Sequence, residues 1–186
     1  EYAGNVREGI RLRELSRQRW PRRQGGFISD NAVLADTYAT LGDLETVRRL
    51  LAESETSYRQ MRSYELWRDN EIANIERQRG DVAFREGRYQ DAESSYRKAY
   101  EAAGRDLEKN RRRTDMGLDT MSQDVVVSMR DLRGVKLANT LLLMGRATEA
   151  EWYARELIRF GLEHSGRSHP STARSIGLLG RIVLAQ

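Results

Sequence analysis

Histidine occurs only at His164 and His169, and cysteine does not occur at all. Disulfides and thiolate metal sites are thereby excluded. The two histidines lack His-Glu-x-x-His spacing and have no third ligand candidate beside them, so no metal is expected. His164 reads more simply as a group complementing the dipole at a helix C-terminus. No Gly-x-x-x-x-Gly-Lys or Gly-x-Gly-x-x-Gly run is present to cradle a phosphate. No Gly-x-Ser-x-Gly elbow presents a nucleophile. The 28 acidic residues are spread along the chain, as on the solvated faces of helices. The residues that could do chemistry therefore predict no catalytic group and no cofactor, and the chain is read as a non-enzyme.

Arginine is the one chemically loaded residue type. Of 32 basic residues, only Lys98, Lys109 and Lys136 are lysine. Residues 1–23 carry seven arginines against three glutamates, which matches the net charge of +4 for the whole chain. Arg11, Arg19, Arg22 and Arg23, with Trp20 as a stacking group, are candidate phosphate contacts for a nucleic acid. Arginine dominates everywhere in this sequence, however, so a basic opening helix is weak ground and nucleic acid is not the expected partner.

The elements that would carry these residues are helical. Hydrophobic residues make up 39% and charged residues 32% of the 186, and Pro21 and Pro170 are the only prolines. Period-two alternation is nowhere sustained. One helix is expected over residues 2–18, ended by Trp20-Pro21, with Gly25-Gly26 as a flexible join. Ser29-Asp30 are good capping residues for a second helix reaching Leu41. Leu44, Val47, Leu51, Ser54, Tyr58 and Met61 recur in threes and fours. Further helices are expected from near Ser63 past Gly80, from Tyr89 into Arg111–Arg113, from near Asp124, over Thr148–His164, and after Pro170. Thr114–Gln123 reads as a loop. No apolar run approaches the roughly 20 residues of a membrane-spanning helix, and the cytoplasm is the working expectation for compartment. The start at Glu1 and the end in mid-pattern suggest a piece of something longer.

A repeat underlies these helices. Gly80, Ala83, Gly87, Ala92, Tyr96 and Ala99 form one unit. Leu34-Ala35-x-x-Tyr38 with Gly42 and Val47 forms another, Leu137-Ala138-x-x-Leu141 with Gly145, Ala150 and Ala154 a third, and Leu179-Gly180-x-x-Val183 opens a fourth. In each complete unit a small or apolar residue follows nine positions after a marker residue: Tyr38 to Val47, Ala83 to Ala92, Leu141 to Ala150. The pattern resembles the tetratricopeptide repeat, and His169-Pro170 resembles the entry of kinesin-light-chain-type units found in large bacterial proteins. The markers Tyr38, Ala83, Leu141 and Val183 lie 45, 58 and 42 residues apart, against about 34 in the standard repeat. The large residue expected early in the first helix of a unit is replaced by Asn31, Glu76 and Gly134, and no unit has the closing proline.

The resemblance implies an all-α, right-handed solenoid of antiparallel helix pairs. Residues 1–27 would be a partial preceding helix and basic linker, and residues 28–186 the repeat domain, in units of about 28–62, 63–113, 122–165 and a truncated 169–186. It also implies a concave groove lined by the first helix of each pair, with Asp36, Arg77, Asp81, Arg85, Lys136, Asn139, Arg174 and Arg181 facing it. A protein or peptide ligand is the expected partner. The mixed charges disfavour a simple carboxylate clamp, since Asp36 and Asp81 occupy two of its slots. Two alternatives accompany this reading: a regulatory or sensor segment of a larger bacterial enzyme, such as one with a caspase-like CHAT protease domain, and nucleic-acid binding through the arginine-rich opening. Bare solenoid ends further suggest self-association.

Overall fold

The computed structural model describes residues 2–19, 25–60, 68–118 and 121–186. Among them are eight helices and no strand: α1 (Tyr2–Arg19), α2 (Gly25–Thr40), α3 (Leu44–Gln60), α4 (Arg68–Arg85), α5 (Tyr89–Asp115), α6 (Gln123–Leu143), α7 (Ala147–His164) and α8 (Pro170–Leu184). Each helix packs on the next along the chain, and α2 also touches α4, as α6 touches α8. This is a stack of helix pairs. The A layer comprises α2, α4, α6 and α8, and α1, α3, α5 and α7 form the B layer.

Backbone hydrogen bonding accounts for the nine-residue offset of the repeat. The carbonyls of Tyr38, Ala83 and Leu141 accept from the amides of Asp43, Arg88 and Arg146 at 3.0, 2.9 and 2.9 Å, closing the A helix. Those residues in turn accept from Val47, Ala92 and Ala150, the first turn of the B helix. Such a Schellman closure requires a left-handed residue in the middle, and Gly42, Gly87 and Gly145 have φ of +82, +75 and +74°. The marker, the turn glycine and the following small residue are thus three parts of one reversal.

The core follows the same register. Ala83, Ala92, Tyr96, Leu137, Ala138, Leu141, Ala150, Ala154, Leu157, Leu178 and Ile182 belong to one buried cluster running from α4 to α8. A second cluster joins Leu34, Ala35, Ala39, Val47 and Leu50 to Val82 of α4, with Ile10 of α1 packed against it. The helices approach closely where one carries glycine. A Cβ on Gly80 would lie 2.5 Å from the Tyr96 ring, and one on Gly134 would lie 2.6 Å from Leu157.

Neighbouring residues accommodate the positions that depart from the repeat pattern, Glu76 only in part. Asn31 is fully buried, and its Nδ2 donates to the Leu50 carbonyl at 3.2 Å and to Ser54 Oγ at 3.1 Å. Glu76 is buried; its Oε1 accepts from Arg79 Nη1 at 2.5 Å, and its Oε2 has no hydrogen-bond partner among the described residues. Gly134 makes room for Leu157 and Tyr100.

Two expectations need correction. Gly25-Gly26 is no join but the first turn of α2, so Ser29 and Asp30 lie inside the helix rather than capping it. Asp30 is held there by Arg13 Nη1 at 2.7 Å and Ser16 Oγ at 2.9 Å, both from α1, which ties the two helices across the intervening residues. The expected helix start near Ser63 and the contributions of Met61, Leu66 and Trp67 fall outside the described residues, as do Trp20 and Pro21.

The long step between the second and third units comes from α5, which runs 27 residues. Its buried stripe changes character along its length. Ala92, Tyr96, Ala99 and Ala103 are followed, in the same spacing, by Asp106, Asn110 and Arg113, all buried. Arg113 Nη2 donates to Asp106 Oδ1 at 3.0 Å and to Asn110 Oδ1 at 3.1 Å. Glu71 of α4 is buried nearby, and its Oε2 has no hydrogen-bond partner among the described residues. Burial, and then the charge of Asp106, push the Glu71 carboxyl up to about 8.

Two predictions follow from this packing. Gly80→Ala should destabilise the fold, because moving the buried Tyr96 ring outweighs a helix-propensity gain of about 1 kcal/mol. Its register equivalent Gly180 has open space where a Cβ would stand, so Gly180→Ala should stabilise by up to about 1 kcal/mol. Urea denaturation of both variants checks the opposite signs. For Glu71, the stability of the protonated form is fully present below the ordinary carboxyl value of 4.5 and lost as pH rises through about 8. Thermal midpoints of Glu71→Gln should therefore exceed those of the parent increasingly between those limits, by roughly 2–4 °C for each kcal/mol regained. Parallel pH profiles for the two proteins would contradict this.

Candidate functional site

The A layer places one polar face of α2, α4 and α6 side by side. Asp36 stands on α2, Arg77, Asp81, Phe84 and Arg85 on α4, and Leu132, Lys136 and Asn139 on α6. With Ala39, Thr40 and Tyr96 these line an open hollow of about 600 Å³. Residues three and four apart on α4 and α6 supply its floor, the expected geometry of one helix face.

The floor is an ion network centred on Arg77 and Asp81. Arg77 is buried and grips Asp36 with two nitrogens, Nη1 to Oδ1 at 2.7 Å and Nη2 to Oδ2 at 3.0 Å. Its Nη1 also donates to Asp81 Oδ2 at 2.8 Å. The other oxygen of Asp81 accepts from Lys136 Nζ and from the Tyr96 hydroxyl, each at 2.6 Å. Burial works against the charge on Arg77, but Asp36 and Asp81 outweigh it and raise its pKa above the ordinary arginine value. Burial, followed by the charge of Asp81, likewise pushes the Tyr96 hydroxyl up, which keeps it a donor. Three helices of the A layer and α5 are thus laced through two side chains.

Of the eight groove residues read from the sequence, Asp36, Arg77, Asp81, Arg85, Lys136 and Asn139 line this hollow. Arg174 and Arg181, on α8, extend the same face. Arg174 Nη1 lies 3.6 Å from Asp131 Oδ2, and Arg181 Nη2 donates to Asn139 Oδ1 at 3.1 Å. Their roles differ from what position alone suggests. Arg77, Asp81 and Lys136 are occupied with one another, whereas Arg85 is exposed and no carboxylate among the described residues is paired with it. Phe84 and Leu132 add apolar surface beside it, Leu132 being 40% exposed.

Behind the groove lies a polar interior that the sequence reading missed. Arg133 of α6 is buried, and its Nη2 donates to Asn74 Oδ1 at 2.8 Å. Burial, then the charge of Arg77, lower its pKa to about 10. The sequence signal was the interruption of apolar stripes by arginine and aspartate at helical spacing, seen at Asp106, Asn110 and Arg113.

The basic opening helix is less available than its composition suggests. Arg11 pairs with Glu8 at 2.7 Å, Arg13 with Asp30 at 2.7 Å, and Arg17 with Glu14 at 3.0 Å and Glu53 at 2.5 Å. Arg19 lies at the edge of an open hollow beside Leu12 and Leu15. Arg22 and Arg23 lie outside the described residues. The histidines have local roles: His164 stacks on Phe160 with centroids 4.0 Å apart, and His169 caps α8, its Nδ1 accepting from the Ser171 amide at 3.3 Å. Among the described residues no cluster of three or more His, Asp or Glu could hold a metal ion. No helix among them is long and apolar enough to cross a membrane.

Comparison with protein families, curated proteins and solved structures gives no match.

The network makes a graded prediction. Asp81→Ala leaves buried Arg77 with one partner and strips Lys136 and the Tyr96 hydroxyl of theirs, so it should cost about 3–5 kcal/mol of folding stability. Lys136→Met keeps a side chain of similar length and removes a partly exposed charge, so its cost should stay below about 1 kcal/mol. Chemical denaturation of the two variants and the double variant measures the difference and the coupling.

Proposed function

We propose that this chain is a non-catalytic protein-interaction scaffold of tetratricopeptide type, and that the A-layer hollow receives a segment of a partner protein. The observation that carries this reading is the contrast within the hollow. Asp36, Arg77, Asp81 and Lys136 neutralise one another and make a rigid floor, while Arg85, at the rim beside Phe84 and Leu132, has no carboxylate partner among the described residues. A rigid floor lowers the ordering cost of binding. An unpaired arginine next to exposed apolar surface is the composition that interfaces favour.

The segment that fits places a carboxylate against Arg85 and an apolar side chain against Phe84 and Leu132. The hollow is open and its lining is drawn from three successive A helices, α2, α4 and α6, so an extended or single-helix segment lying along the stack suits it. The repeat register supports the tetratricopeptide assignment: one reversal geometry recurs at Gly42, Gly87 and Gly145.

Affinity capture from extracts of the organism that makes the chain tests the reading. Arg85→Glu and Leu132→Glu, both at exposed positions, should each weaken capture of a specific protein by roughly tenfold or more, while Lys98→Glu on the B layer leaves it unchanged. A partner retained by both groove variants and lost with Lys98→Glu would move the site to the convex face.

A further inference from the structure

Among the described residues three arginines are buried, Arg77, Arg113 and Arg133, and two of them touch carboxylates. Arg77 lies 2.7 Å from Asp36 and 2.8 Å from Asp81, and Arg113 lies 3.0 Å from Asp106. Arg133 of α6 is only 3% exposed, yet its contacts are neutral. Its Nη2 donates to Asn74 Oδ1 at 2.8 Å, and its Nε reaches the Ala73 carbonyl at 3.5 Å. No ion pair joins it to a carboxylate among the described residues. A buried cation without a counter-charge works against the fold that holds it.

The charges around Arg133 leave it as the surplus. In the groove floor Asp36 and Asp81 offset Arg77 and Lys136, and deeper in, Arg113 offsets Asp106. Glu71 keeps its proton below about pH 8 and so brings no charge at neutral pH. Burial, and then the neighbouring Arg77, oppose the charge on Arg133, while Asp106 and Asp36 attract it without touching it. One further negative charge would balance this part of the interior.

The way to Arg133 leads from the groove. Asn74 is half-buried, and it stands three and seven positions before Arg77 and Asp81, on the face of α4 that floors the hollow. Leu132, next to Arg133 in the chain, lines the same hollow. We infer that a glutamate or aspartate side chain of the bound segment displaces the Asn74 amide oxygen and forms the ion pair that Arg133 lacks. This rests on the reading of the hollow as the seat of a partner segment, and it names the group that the seat recognises. The exchange replaces a neutral acceptor by a charged one, whose bond to a guanidinium is roughly twice as strong and can use two nitrogens of the planar fork. Burial removes competing water, so acid and amide are told apart more sharply here than at a surface arginine. A carboxylate matches the single surplus charge, whereas a doubly charged phosphate would exceed it and meet the half-exposed Asp36.

Two measurements on the full chain test this without the partner. Arg133→Met removes the charge and leaves Asn74 Oδ1 where water can reach it. A guanidinium kept for the fold would lower the thermal midpoint on removal, whereas one held for a ligand should leave it unchanged or raised. In the unmodified chain the Arg133 Nε signal, assigned by its absence from the variant, should shift saturably in an NMR titration with N-acetylglutamic acid amide. The neutral glutamine counterpart at equal ionic strength should not shift it. A lowered midpoint in Arg133→Met overturns the inference, as does a signal that ignores the acid or answers both compounds alike. Partner capture separates this inference from the groove reading. Loss with Arg85→Glu and Leu132→Glu but retention with Arg133→Met overturns the role of Arg133 alone, and retention by all three overturns the groove as well.

Discussion

The contact between Tyr96 and Gly80 is the closest expression of the constraint on which the stack depends. A helix pair of this size cannot bury both of its faces by itself, so each A helix must lie near enough to the following B helix to seal one side and near enough to the next pair to seal the other. Close approach demands a missing side chain at the crossing point and a large one opposite. Gly80 with Tyr96 and Gly134 with Leu157 each meet this demand in a different register. The aromatic at 96 does a second thing, because its hydroxyl reaches Asp81 and so anchors the ion network above it. Packing and electrostatics meet at one side chain.

That meeting explains why the groove floor is built from charges that satisfy one another. Arg77 stands where the packed helices leave little water, and a buried guanidinium there needs carboxylates within direct reach. Asp36 from the preceding A helix and Asp81 from one turn along supply them, and Lys136 from the following A helix balances the second aspartate. The network therefore fixes how α2, α4 and α6 stand relative to one another. Groups spent on this task are poorly placed to recognise a ligand, which shifts attention to Arg85, Phe84 and Leu132 at the rim.

Much of the fold was legible because it is encoded locally. The turn glycines, the small residues nine positions after the markers, and Pro170 after His169 all act within one reversal or one helix start, and α5 through α8 lie close to where periodicity put them. The start of α2 was misread because Ser29 and Asp30 look like caps by type. What decides the matter is tertiary: Arg13 and Ser16 of α1 claim Asp30, and the helix begins earlier. The groove face was legible for a similar reason, since residues three and four apart on an A helix share a side. Which of those residues are free and which are paired was not, because most of the pairings join side chains from different helices, as Arg77 and Asp36 are joined across 41 positions.

The arginine bias of the sequence takes on a different meaning once these pairings are known. Composition alone made the opening helix a candidate for phosphate binding, yet Arg11, Arg13 and Arg17 are each tied to a carboxylate, and Arg77, Arg113 and Arg133 are buried. Arginine suits such sites better than lysine, because its planar fork satisfies two acceptors at once and loses less on leaving water. A stack whose A helices carry Asn31, Glu76 and Gly134 in place of large apolar residues has less hydrophobic surface with which to fix its geometry. Charged lacing between helices supplies the orientation that the missing apolar side chains would have given, and a chain held in this way needs many arginines without needing a nucleic acid.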